Sequence, residues 1–303
     1  MDAKIRRIRQ FRADLIEDDN QGVIAIHEQI VSENLLDVDG NETERLTYDQ
    51  EGNVEERVIT EYASSKPVKI IMEINDMVVE QTGYQYDETG KLVKEQIIYQ
   101  EGEPDEAIFT YEGERLVARQ VFDEDGVEGE KMFRKYEDDR LMREEFYNSE
   151  GALERSKTYI YNDRNQLEET VELRINDDDQ MRIVNVLDEA GNVILEKRYD
   201  TRGNLVMRSR SEVNEQGLPE SIEEENAYGK TITLLAYDDK GRNIRLQEVT
   251  ETGLVLNHIE RTFNDQGLLL TLTNKTEPTA LRAGSYYRIR NEYEFYWNIS
   301  LSG

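Results

Sequence analysis

Tyr199-Asp200-Thr201-Arg202-Gly203-Asn204-Leu205 is the stretch whose reading decides the fold. An aromatic residue is followed by Asp, two polar residues, Gly and, within three residues, an aliphatic. Asp at the first turn position accepts a hydrogen bond from the backbone two residues on. Gly three residues later takes the left-handed conformation that ends a type I turn in a bulge. The same writing recurs at Tyr48-Asp49, Tyr86-Asp87, Phe122-Asp123, Tyr147-Asn148, Leu187-Asp188, Tyr237-Asp238 and Phe263-Asn264, each with Gly three residues after the Asp or Asn. In Tyr161-Asn162-Asp163-Arg164-Asn165, Asn stands in for the Gly, and Asn is the next most tolerant residue there.

Working outward, the residue before each turn falls at 111, 122, 136, 147, 161, 175, 187, 199 and 213, and again at 237, 249 and 263. Steps of this size hold one strand and one tight turn. The single long step, from 213 to 237, holds two units with a degenerate turn near Glu225. Two steps, about 25 residues, make one hairpin repeat. Tyr111-Glu112-Gly113-Glu114-Arg115-Leu116 and Tyr136-Glu137-Asp138-Asp139-Arg140-Leu141 lack the Asp or Asn, which predicts shorter turns or turns of another type. Between turns the period is two: Leu167, Glu169, Val171, Leu173 and Ile175 alternate with Glu168, Thr170, Glu172 and Arg174.

Two segments depart from this pattern. Ile5, Ile8, Phe11 and Leu15 fall on one helical stripe, which predicts an amphipathic helix over 3–17 and a small helical cap over 1–35. At the other end, Tyr287, Ile289, Tyr293, Phe295, Trp297 and Ile299 share one parity, which predicts one or two aromatic strands over 276–303 that cap the array. Tyr287, Tyr293, Phe295 and Trp297 are the candidate partner contacts. The expected fold is therefore all-β: a long antiparallel meander of about 16 to 18 short strands over 36–275, twisted or curved, with those two caps.

Composition bounds the rest. Only 37% of the 303 residues are hydrophobic and 34% are charged, against roughly 45–50% apolar in typical domains. Burial is expected to be shallow. The formal charge is −29, nearly all of it in 36–275, which excludes nucleic acid as a partner and suits a basic protein. There is no Cys, hence no disulfide or thiolate site. No run of 18 apolar residues and no secretory leader occurs, from which no membrane insertion and a cytoplasmic location are expected, or secretion if a leader has been removed.

The turns resemble the YD repeats of RHS and teneurin-like proteins, with Tyr86-Asp87-Glu88-Thr89-Gly90-Lys91-Leu92 and Tyr199-Asp200-Thr201-Arg202-Gly203-Asn204-Leu205 as the best matches. More loosely they resemble short MORN-like antitoxin repeats. The resemblance implies β-hairpin repeats over roughly 36–275. In that family long arrays coil into shells around a toxin. This chain is shorter, and ends in an aromatic strand rather than a toxin domain.

Chemistry is sparse. His27 and His258 lie far apart without a motif around them, and a lone His seldom implies catalysis. No nucleophile elbow, phosphate loop or zinc motif is present. Asp37-Val38-Asp39-Gly40-Asn41, Asp123-Glu124-Asp125-Gly126 and Asp177-Asp178-Asp179 offer carboxylates to calcium, but the first two place Gly fourth where an EF-hand needs it sixth. The expectation is no enzyme, no cofactor and no metal. The leading function is a protein-binding scaffold of a bacterial assembly or conflict system. An immunity protein that neutralises a basic toxin through its acidic face comes second, and a calcium- or carbohydrate-dependent adhesin third.

Overall fold

A computed structural model describes residues 4–19, 22–100, 102–175, 179–279 and 282–296. The chain runs through β1 (Ile5–Asp18), β2 (Gly22–Leu36), β3 (Glu42–Tyr48), β4 (Val54–Ala63), β5 (Lys66–Ile74), β6 (Met77–Tyr86) and β7 (Leu92–Tyr99). It continues through β8 (Asp105–Glu112), β9 (Arg115–Phe122), β10 (Glu128–Glu137), β11 (Arg140–Tyr147), β12 (Leu153–Tyr161), β13 (Leu167–Arg174), β14 (Asp179–Leu187) and β15 (Val193–Tyr199). Then come β16 (Leu205–Val213), β17 (Pro219–Asn226), β18 (Gly229–Tyr237), β19 (Asn243–Thr250), β20 (Val255–Phe263), β21 (Leu269–Thr276) and β22 (Ser285–Phe295). These 22 strands belong to one antiparallel sheet, and no described residue is helical.

Two compact units divide the chain. One holds residues 1–85, 95–104 and 257–303, the other 86–94 and 105–256. In the second, β8 to β19 form an uninterrupted meander, each strand antiparallel to the next in sequence. In the first, β20, β21 and β22 pair in turn, β22 then pairs with β1, and β1 leads on through β2, β3, β4 and β5 to β6. The first and last strands are therefore neighbours, and neither presents a bare edge.

The turns are built as the sequence predicts. In Asp200–Asn204 the backbone N–H of Asp200 donates to the Asn204 carbonyl at 2.9 Å, and Gly203 N–H donates to the Asp200 carbonyl at 2.9 Å. One Asp200 carboxylate oxygen, Oδ1, accepts from the N–H of Arg202 and of Asn204 at 2.9 and 2.8 Å. Gly203 sits at φ 77°, and a Cβ there would meet nothing within 4 Å. It is required for its backbone angle alone. Each such turn throws a register shift into the strand that enters it, as at Arg198/Tyr199. The turns that lack Asp or Asn differ as expected: Asp138 and Asp139 lie at φ 47° and 67°, a two-residue hairpin with both central residues left-handed. Ser64-Ser65 and Asn75-Asp76 repeat it, which places more strands in 42–99 than the Asp-Gly spacing alone shows.

Almost nothing is dry. Among the described residues the buried apolar side chains are Ala13, Leu15, Ala107 and Ala118, and Thr82, Glu144, Ser156 and Asn274 are buried polar ones. This is the shallow burial that the composition implies.

Three expectations are corrected. The first is the N-terminal helical cap: residues 5–18 and 22–36 are long antiparallel strands. A 14-residue stripe spaced by three and four residues suits a helix, but here β1 finds hydrogen-bonding partners on both sides, and tertiary pairing overrides a weak local preference. Register shifts at Gln10/Phe11 and Arg12/Asp14 break the strict alternation that would have marked a strand. The second and third are the exclusion of membrane insertion and the cytoplasmic location inferred with it. The first rests on the want of an 18-residue apolar run, which tests helices only, and the second on that together with the want of a secretory leader. Among the described residues no helix is long and apolar enough to cross a membrane, but a many-stranded antiparallel sheet with paired first and last strands is the architecture by which strands cross one, without any such run.

Candidate functional site

The aromatic C-terminal strand places the candidate partner residues at the seam between the two ends of the chain. Tyr287 stands opposite Asp14, Tyr293 opposite Ile8 and Phe295 opposite Ile5. All three are half-buried. The Arg12 guanidinium lies 4.4 Å from the Tyr287 ring centroid, and the Tyr293 hydroxyl donates to the Leu269 carbonyl at 2.8 Å. Tyr296, not singled out from sequence, donates its hydroxyl to the Leu36 carbonyl at 2.6 Å and its backbone N–H to the Lys4 carbonyl at 2.9 Å. Trp297 lies outside the described residues.

Charge reinforces the seam. Arg290 forks onto Glu28 with Nε and Nη2 at 3.1 and 3.0 Å and reaches Glu292 through Nη1 at 2.6 Å, while its guanidinium lies 4.3 Å from the Phe11 ring. The hydrogen bond from Arg290 holds the Glu28 carboxylate below its usual range, and the same bond holds the Arg290 proton more tightly than usual. Beside this lies a cleft of about 590 Å³ lined by Arg12, Asp14, His27, Gln29, Val31 and Gln50. His27 lies at φ 53°, next to the register shift opposite Arg12 and Asp14. A non-Gly residue in that conformation is strained, and the bulge turns its side chain toward the cleft. His258 is elsewhere, 3.2 Å from Glu260.

The acidic turns spend their carboxylates on themselves. Asp37 Oδ1 accepts from the N–H of Asp39 and Asn41, and Oδ2 from the Asn41 side chain at 2.9 Å. Asp123 accepts in the same way from Asp125 and Val127. Hydrogen bonding lowers the pKa of the turn carboxylates: the Asn side chain leads at Asp37, Asp49, Asp188 and Asp200, the Thr89 hydroxyl at Asp87 and Arg242 at Asp238. Of the calcium candidates Asp177-Asp178-Asp179, the first two lie outside the described residues.

The repeat aromatic has a role that the sequence reading passed over. The Tyr136 hydroxyl donates to the Leu116 carbonyl at 3.1 Å, and that of Tyr161 to the Leu141 carbonyl at 3.0 Å. The residue before each of those leucines stacks on the same ring: Arg115 lies 5.5 Å from the Tyr136 centroid and Arg140 5.9 Å from that of Tyr161. Tyr62 and Tyr237 make the same tie, to the carbonyls of Glu42 and Pro219. These four turns are thus each tied to the previous turn on the same side. The signal was legible: Tyr, Arg and Leu all recur with the 25-residue spacing of two strands.

No family model matches the chain, and no curated protein does. Among solved structures it is similar to the TcdB2-TccC3-Cdc42 complex (TM-score 0.35, 11% identity), covering 96% of this chain and 22% of that one. It is also similar to TcdB2-TccC3-TEV (TM-score 0.30, 10% identity), covering 87% of this chain and 19% of that one. The chain thus spans about a fifth of the length of these two. A porin-like protein from Bacteroides uniformis shares 9% identity at a TM-score of 0.30, over 96% of this chain and 98% of that one. These likenesses are too remote to carry a function across.

Proposed function

We propose that this chain is a non-enzymatic, YD-repeat-like scaffold that binds a protein partner within a bacterial assembly or conflict system. The observation that carries the reading is exposed area. The chain exposes 19685 Å², about one and a half times the roughly 13,000 Å² that a compact monomer of its mass presents. The turn carboxylates and ring hydroxyls are spent on the backbone, so the strand faces remain as the surface for recognition. Cross-linking in an extract of the native host, read by mass spectrometry, should place partner contacts on strand residues. Contacts confined to the turns, or none, would sink the reading.

A second reading, capture of a basic toxin, is favoured by the formal charge of −29. Charge capture weakens steeply as salt rises, whereas apolar docking does not. Titration with a basic ribonuclease between about 20 and 300 mM salt separates the two, because the Debye length shrinks over that range. Binding that does not change with salt would remove the second reading and leave the first.

A further inference from the structure

One row of directly opposed residues crosses six strands of the second unit: Phe109, Arg119, Met132, Phe146, Arg155 and Arg174. Opposed residues share a face of the sheet, so three guanidinium groups and three large apolar side chains lie on one surface. The Arg155 guanidinium is 4.0 Å from the Phe146 ring centroid, and that of Arg119 is 5.9 Å from the Phe109 ring. Arg155 and Arg174 oppose each other directly, an arrangement that costs stability unless an anion lies between them.

The row ends at Asp179 of β14, which opposes Arg174. Among the described residues Glu172 is ion-paired with three cations: Arg174 at 3.1 Å, Lys157 at 3.3 Å and Arg155 at 3.9 Å. Burial works against its charge, and hydrogen bonds from Arg174 and Lys157 outweigh that and keep its pKa low. One carboxylate is thus shared by three cations, in a chain that has 66 acidic residues against 37 basic ones.

A cleft of about 530 Å³ opens over Met132 and Phe146 in this row. Its lining carries Arg119, Lys131, Arg155 and Arg174 against Glu130 and Glu154. Lys131 is paired with Glu128 at 2.5 Å. The Arg155 and Arg174 side chains are 38% and 50% exposed, open to a ligand. The volume falls in the range of small-molecule sites.

We propose that this cleft binds a small oxyanion carried on a flat apolar body. The carboxylate or phosphate oxygens take the free edges of the Arg155 and Arg174 guanidinium groups, whose planar forks match such groups. The apolar body lies over Phe146 and Met132, and Arg119 closes the far side. This site is independent of the scaffold reading above.

Isothermal titration of the full chain tests it, with 1-naphthoate and 1-naphthyl phosphate as probes and neutral 1-naphthylmethanol as the control. Both anions should bind, and the alcohol about tenfold more weakly or worse. Whichever anion binds more tightly names the oxyanion. Arg174→Met and Arg119→Met should each weaken the anions by about tenfold, and Glu172→Gln should tighten them, because it frees three cations. Arg182→Met, whose side chain pairs with Glu169, should leave binding unchanged, and equal melting temperatures establish that the variants fold. No binding at about 5 mM probe, equal binding of the alcohol, or affinity unmoved in both Arg174→Met and Arg119→Met would overturn the proposal.

Discussion

The meander from β8 to β19 and the seam of β22, β1 and β2 are built from the same ladder hydrogen bonds, yet they are specified differently. In the meander every strand pairs with its sequence neighbour, and a short turn fixes each register. In the seam, Gln10 lies opposite Asn291 and Phe11 opposite Arg290, some 280 residues away. The meander is written in local chemistry, whereas the seam is held by long strands, an Arg–Glu–aromatic network and one small buried residue. Loop-closure entropy makes such distant pairing costly, so the seam depends on contacts that the turns cannot supply.

This contrast predicts that the largest single-residue losses lie in the seam. Ala13 is 1% exposed between β2 and β22. Ala13→Trp overpacks this buried site and should cost about 3 kcal/mol or more in chemical denaturation. A smaller loss than the turn substitutions below would reverse the comparison.

Gly203→Val comes next, at about 1–2 kcal/mol, because φ 77° is forced on a β-branched residue with no clash to add to it. An unchanged denaturation midpoint would rule out the left-handed turn. Tyr161→Phe removes the tie to the Leu141 carbonyl and should cost about 1 kcal/mol. A variant as stable as the parent would reduce the turn-to-turn ladder to coincidence.

The smallest effect is electrostatic. Hydrogen bonding depresses the pKa of Asp200 in the folded state. Its contribution is therefore present above the unfolded value, near 3.8–3.9, and is lost as pH falls through the lower folded value. Asp200→Asn mimics the turn at Asn148 and should flatten this part of the acid limb. Denaturation curves at stepped pH that fall in parallel for parent and variant would remove the carboxylate from the account.

The same contrast explains what could be read in advance. The turns, the strand step and the missing core were legible because Asp, Gly and the alternating pattern act within a few residues. Tyr136 and Tyr161 as ties were legible in principle, since their partners Leu116 and Leu141 keep the same spacing. Residues 5–18 were not legible as a strand. Ile5, Ile8, Phe11 and Leu15 satisfy a helical stripe, and what decides against it is a partner strand at the opposite end of the chain. The cationic row from Arg119 to Arg174 was hidden for the same reason: its members are scattered along 56 residues of sequence, and only register brings them together.

The pairing of β1 with β22 is the claim on which the rest depends, and a disulfide tests it directly because the chain has no cysteine of its own. Gln10 and Asn291 are opposed, with their side-chain amides 3.3 Å apart. Gln10→Cys with Asn291→Cys should cross-link under mild oxidation, seen as a mobility shift on a non-reducing gel. Gln10→Cys with Arg290→Cys, one residue out of register and on the other face, should not. Failure of the first pair, or equal cross-linking of both, would contradict the seam and return the N-terminal segment to a helix.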